Sequence, residues 1–236
     1  MHEIFNIQRK INELKAIDKR CAVFGAERHQ YNFGPILSEE ELKKIEEEQG
    51  ILILGQYRQI LKMLGNGGAG AGYGLEKLSL KNINPPYIGH KKLLRNWNNP
   101  KEMDCDMVEL DEISGYIKLF DYGCGMQTCQ IVKGENVGDL IFFDCDGRFE
   151  KVEDRNLSDM YNFWLDNSLK VFNRVQQKLQ TLSLKEVLNS EWELENYHIK
   201  DMIISIMDAE PLQGSYSGSQ QNEHLKNAYD KWKSKS

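Results

Sequence analysis

The sequence predicts an α+β protein, an antiparallel β-sheet packed against helices, followed by a helical C-terminal extension. Three observations predict it. Apolar residues keep a helical period as far as Leu64, the pattern changes near Ser114 to short runs of β-formers divided by turn signals, and helical spacing returns from Leu157.

Ile4, Ile7, Ile11 and Leu14 put one apolar face on a helix spanning the first fifteen or so residues. Ser38 with Glu41 has the form of a capping box; the helix it opens buries Leu42 and Ile45 and turns the acidic triplet Glu46 to Glu48 to solvent. Within Gln56 to Leu64, Tyr57, Ile60, Leu61 and Leu64 recur at i, i+3, i+4 and i+7 and share a face. Leu75 to Leu80 reads as extended, and the region of Pro85, Pro86 and Pro100 as irregular.

Four β-forming runs follow, Tyr116 to Phe120, Gln127 to Val132, Asp139 to Phe143 and Arg148 to Val152. Gly123 to Gly125, Gly134 to Gly138 and the hairpin dipeptide Asp146-Gly147 separate them, so the strands form an antiparallel meander. Ser158 is expected to open a helix in which Leu157, Tyr161, Trp164, Leu165 and Phe172 cover one sheet face as core. The domain is placed at residues 1–172, with the sheet between Leu75 and Val152, and the extension at 173–236. In the extension Ser183 and Glu186 form another capping box. Ile199, Met202, Ile203, Ile206 and Met207 then make an apolar face that ends at Pro211. Ser215 to Asn222 reads as a flexible linker, and Leu225, Ala228, Tyr229 and Trp232 as a last helix packed on the domain.

The run Gly65 to Gly74, GNGGAGAGYG, is the most informative stretch. Gly65, Gly67 and Gly70 match the letters of a dinucleotide fingerprint, but that motif needs a strand before it and a helix after it, so that the helix N-terminus faces the phosphates. Here a helix leads in. No Lys-Ser or Lys-Thr pair follows, which removes the phosphate-loop reading as well. Gly65 is expected to end the incoming helix in the left-handed conformation, and the remaining glycines to let the chain pass close to its neighbours.

At 236 residues the chain can bury a core without staples. The N-terminus lacks a signal-peptide pattern and no run approaches the roughly 18 apolar residues of a span, so a cytoplasmic protein is expected. Five cysteines, Cys21, Cys105, Cys124, Cys129 and Cys145, form no C-x-x-C pair, which points to reduced thiols and no metal. Net charge is −6, yet Glu102 to Asp154 alone carries fourteen acids against four bases, −10, leaving the rest at +4. Such a field repels nucleic acid and draws basic partners; the plainer reading is a solvated surface.

The order of the segments resembles the SUKH superfamily. The resemblance rests on Arg28-His29-Gln30-Tyr31, on Gly34 to Glu41, on Glu46 with Gly50, on Tyr57-Arg58 and on the glycine run to Leu75. Asp121 to Gly125, Val132-Lys133-Gly134, Gly138 and Phe163 to Asp166 are similar to the family's closing half, so about residues 20–172 are covered. Its motif positions are Gly65, Asn66, Gly67, Gly68, Gly70, Tyr73, Gly74 and Trp164. Leu54-Gly55 departs from the family's Leu-Pro, and Ala71 from a common proline.

The resemblance implies a non-catalytic immunity protein that binds and neutralises a cognate bacterial toxin domain, a nuclease or deaminase of a polymorphic toxin system, with no cofactor. An acidic inhibitor can fill the basic cleft of such an enzyme. Asp104, Asp106, Glu109, Asp111, Glu112, Asp144, Asp146 and Glu150 are then the expected toxin-binding residues, on a monomer or weak dimer that meets neither nucleic acid nor membrane. The alternative implied by the family is a regulatory or scaffold domain in cell-wall or signalling processes. A cysteine-dependent enzyme built on Cys124 with His29 or His90 lacks the neighbours that stabilise a thiolate. A calcium loop around Gly147 would put Phe142 where its first carboxylate is required.

Overall fold

Ile4, Ile7, Ile11 and Leu14 lie buried on the inner face of helix α1 (His2–Ile17). The computed structural model describes residues 2–79, 83–84, 115–134, 136–143, 149–153, 155–189, 199–209 and 218–235. A one-turn helix, α2 (Ala26–His29), follows, and then α3 (Glu39–Gln49), whose Ser38–Glu41 capping box is formed in both directions. Leu42 is buried, but the acidic triplet does not face solvent as a unit. Glu46 turns inward, accepts from the Ile53 N–H at 2.7 Å and pairs with Arg58 of α4 (Gly55–Met63) at 2.8 Å. Arg58 also grips Glu39, so one guanidinium clamps α3 to α4.

The sheet is an antiparallel meander of β1 (Ile83–Asn84), β2 (Tyr116–Gly123), β3 (Met126–Ile131), β4 (Leu140–Phe143) and β5 (Phe149–Lys151), in that spatial order. The fold class is α+β, as the change of period near Ser114 predicts. Leu75 joins β2 as a single bridge at Phe120. A bulge between Lys118 and Phe120 inserts Leu119, so consecutive residues Leu119 and Phe120 both reach the main core. The central strand β3 is buried on both faces: Thr128 and Gln130 on one, Cys129 and Ile131 on the other, where Ile141, Phe143 and Tyr116 pack around them. The Asp146-Gly147 hairpin lies outside the described residues, as do Leu80 and the three prolines between Pro85 and Pro100.

Helix α5 (Leu157–Thr181) is the spine, and it is capped not by Ser158 but by Asn156, whose side chain accepts from the Asp159 N–H while Asp159 returns a bond to the Asn156 N–H. Asn caps as well as Ser, and Ser158 lies buried inside the first turn. The boundary expected at residue 172 falls inside α5. Val175 and Leu179 extend its apolar stripe, and no breaker interrupts it before Leu182. After α6 (Leu184–Leu188), α7 (Ile199–Met207) packs along α5, and α8 (Gly218–Lys233) docks beside them. Met202, Ile203, Met207 and Leu225 belong to the same core cluster as α1 and the sheet. Residues 218–222, expected in a flexible linker, are the first turn of α8. No helix among the described residues is long and apolar enough to cross a membrane.

Candidate functional site

The glycine run is a backbone hub. Many of its N–H groups bond within the protein: Gly68 and Leu75 exchange bonds, Ala69 donates to the Asn32 carbonyl, Tyr73 to the Asp121 carbonyl and Gly74 to the Ala71 carbonyl. A phosphate cradle needs those donors free. Asn66 completes the hub with its side chain, accepting from the Leu78 N–H at 2.7 Å and donating to the Leu78 carbonyl at 3.1 Å, in place of a strand partner. Two positions show why glycine is required. At Gly68, φ is 112° and a Cβ would stand 2.2 Å from the Asn32 carbonyl oxygen; at Gly72, φ is 61° and it would stand 2.2 Å from that of Asp121. Gly65, expected as an ordinary left-handed cap, instead has φ 150° and lies against the Gly34 carbonyl, because the chain must swing toward the bridge of Phe33 with Gly68.

Helix α5 secures this hub from beneath. The Tyr161 hydroxyl donates to the Ala69 carbonyl at 2.9 Å, and Trp164 stands edge-on to His29, ring centroids 6.0 Å apart. His29 is 8% exposed, and its Nδ1 accepts from the Tyr31 N–H at 3.0 Å. Burial pushes its pKa down to about 4, so the ring is neutral at pH 7 and its Nδ1 lone pair is engaged two residues along the chain. Of the thiols, Cys129 is pushed up to about 12 by burial, and Cys21 is raised by burial and by the nearby Asp18 and Glu27 carboxylates. Cys124 is exposed at φ 50°, followed by Gly125 at φ 82°, the paired left-handed residues of a two-residue hairpin turn between β2 and β3. Among the described residues no group of His, Cys, Asp or Glu side chains forms a metal cluster. His90, Cys105 and Cys145 lie outside them.

Above the hub a small surface is assembled from three separate segments. Phe24, 46% exposed, lies 5.0 Å from the Tyr73 ring, and the Arg28 guanidinium sits over the same ring at 3.8 Å. The other flank of Tyr73 rests on Gly123 at the β2–β3 turn, where a Cβ would come within 3.3 Å of the ring. Tyr73 is a motif position; Phe24 was not legible as a site residue, because nothing in its spacing separates an exposed aromatic from a core one.

The expected acidic face is only partly visible. Asp104, Asp106, Glu109, Asp111, Glu112, Asp144 and Asp146 lie outside the described residues, and Glu150 is half-buried on β5 opposite Phe142. Two other acids of the −10 segment are occupied within the fold. Asp121 pairs with Lys118 at 2.9 Å and accepts from the Gly123 N–H, and Asp139 pairs with Lys151 at 2.7 Å. Of the expected toxin-binding residues only Glu150 lies among those described. Comparison with protein-family models, with curated proteins and with solved structures gives no match to this chain.

Proposed function

We propose that this chain is a non-catalytic protein-binding module of SUKH type, an immunity protein that neutralises a basic toxin domain. The observation that carries this reading is the Phe24–Tyr73–Arg28 cluster. Aromatic and arginine side chains supply most of the energy of protein interfaces, and these three stand exposed or half-exposed on a backbone that the glycine hub holds rigid. A preorganised aromatic anchor loses little conformational freedom on binding. The −10 charge of Glu102 to Asp154 supports a basic partner, with Asp104, Asp106, Glu109, Asp111, Glu112, Asp144, Asp146 and Glu150 steering its approach. His29, one candidate base of the enzyme reading, is neutral and accepts a hydrogen bond from its own chain, which supports a binding role over a catalytic one.

The experiment is a binding series with any toxin domain found in a reading frame next to this gene, in which Phe24→Ala and Tyr73→Ala are each expected to weaken affinity about tenfold or more. Association of the unaltered protein is expected to slow between low salt and 0.15 M, where screening acts over about 8 Å. Full affinity in both variants together with a salt-independent association rate defeats the reading.

A further inference from the structure

A cavity of about 640 Å³ opens where the end of α1, the loop after it and α2 meet. Its wall holds an unusual concentration of left-handed residues that are not glycine: Cys21 at φ 54°, Gln30 at 48° and Tyr31 at 59°. In that region an L residue crowds its Cβ against the following carbonyl, and it persists only where the surroundings hold it. One holding group is Asp18, 1% exposed. Its carboxylate accepts from the Ala22 and Val23 N–H groups, from the Tyr31 hydroxyl and from the Ser205 hydroxyl of α7, four donors that saturate both oxygens. The wall is therefore built from three parts of the chain and fixed by a buried anion that offers nothing further to a ligand. Gln30 is the left-handed C-cap of α2, and Cys21 closes the turn begun at Asp18, whose carbonyl accepts its N–H at 3.3 Å, so the carboxylate adds its restraint to helix-end and turn geometry.

The charges that face the cavity fall into two sets. Lys19 and Arg20 share the Asp208 carboxylate, at 3.1 and 3.8 Å. Lys15 and Glu27 do not: among the described residues neither has an ion-pair partner, they do not reach each other, and Lys15 donates only to the neutral amide oxygen of Asn32. One cation and one anion thus line the same space without pairing, and Gln30 and Asn32 line it with them as hydrogen-bonding side chains. A ligand of one sign would satisfy one and be repelled by the other. We infer that the cavity is a binding site for a small zwitterion of the amino-acid type, its carboxylate held by Lys15 and its ammonium by Glu27. The volume lies within the range of small-molecule sites, and the restrained backbone of the wall carries both charged residues. The site uses side chains distinct from Phe24, Arg28 and Tyr73, and its ligand is independent of any protein partner.

The test is a titration of the full chain with single free L-amino acids, each beside its N-acetyl and its carboxamide form, followed by amide NMR shifts. At least one free amino acid is expected to produce saturable shifts confined to residues 15–32, and both capped forms, each lacking one charge, to bind several-fold more weakly. Lys15→Gln and Glu27→Gln are each expected to lower affinity roughly two- to fivefold, as for an exposed ion pair. The deciding variant carries Lys15→Glu and Glu27→Lys together: a zwitterion can turn round, so binding returns toward the original. Both altered positions are exposed, and an unchanged circular-dichroism melt confirms that the fold is kept. The inference is overturned if no free amino acid gives saturable shifts in that segment, if a capped form binds as well as its parent, or if the exchanged pair binds no better than the single variants.

Discussion

The glycine run Gly65 to Gly74 and the segment Asp18 to Asn32 both depend on left-handed backbone, and they achieve it by opposite means. In the run the residue itself removes the obstacle: with no Cβ, Gly68 and Gly72 press against carbonyl oxygens, and surrounding N–H groups donate to backbone carbonyls. In the segment, Cys21, Gln30 and Tyr31 keep their side chains at positive φ, Gln30 as the C-cap of α2 and its neighbours beside the buried Asp18 carboxylate, which binds the Ala22 and Val23 N–H groups and the Tyr31 hydroxyl. The first device fixes chain crossing and leaves no chemistry at its surface beyond Tyr73. The second keeps functional groups in place around a cavity, at a cost in local strain that glycine would have avoided.

The difference can be broken at its strongest point by Gly68→Ala. With φ at 112° and a backbone oxygen 2.2 Å from the new Cβ, the crossing of residues 32–33 over the run must open, and a loss of about 4 kcal/mol or more is expected in denaturant unfolding. Asp18→Ala strikes the other region. It strands four donors, though the adjacent cavity lets water reach some of them, so about 3 kcal/mol is expected from the same measurement.

His29 joins the two regions, bonded to Tyr31 on one side and lying against Gly74 on the other. Its pKa falls from 6.5 to about 4 on folding, so between these values the unfolded chain binds more protons than the native one. Stability from this source is complete above pH 6.5 and is lost as pH falls toward 4, on the order of 2–3 kcal/mol in all. Melts across that window in the unaltered protein and in His29→Gln separate it from the carboxylates, and an equal slope in both proteins removes His29 as the cause. A lower window belongs to Glu39, held down to about 2 by hydrogen bonds from Arg58 and Lys62; its contribution is present above pH 4.5 and lost toward 2, and Arg58→Met is expected to flatten it.

The smallest effect is the sharpest discriminator. Gln30→Gly relieves the left-handed strain but gains freedom in the unfolded chain, and the two nearly cancel, leaving a change within about 0.5 kcal/mol. A large loss instead would show that the Gln30 side chain, and not its backbone, holds the segment.

Sequence by itself determined the elements and the core. Ile4 to Leu14, Tyr57 to Leu64, the first three β-forming runs and Leu157 to Phe172 hold the buried residues expected of them, because hydrophobic pattern is a local record of which side meets the interior. It also determined that the glycine run is architecture, since a helix leads into it. Tertiary structure alone decided where the polar groups go. Glu46 turned inward to Arg58, Asp121 and Asp139 were drawn into pairs, Asn156 rather than Ser158 capped α5, and Ser205 reached across 187 positions to Asp18. A charge or hydroxyl carries no period. Its partner is set by which distant segments the apolar core brings together, and so is the meeting of Phe24, Arg28 and Tyr73, where the proposed interface lies.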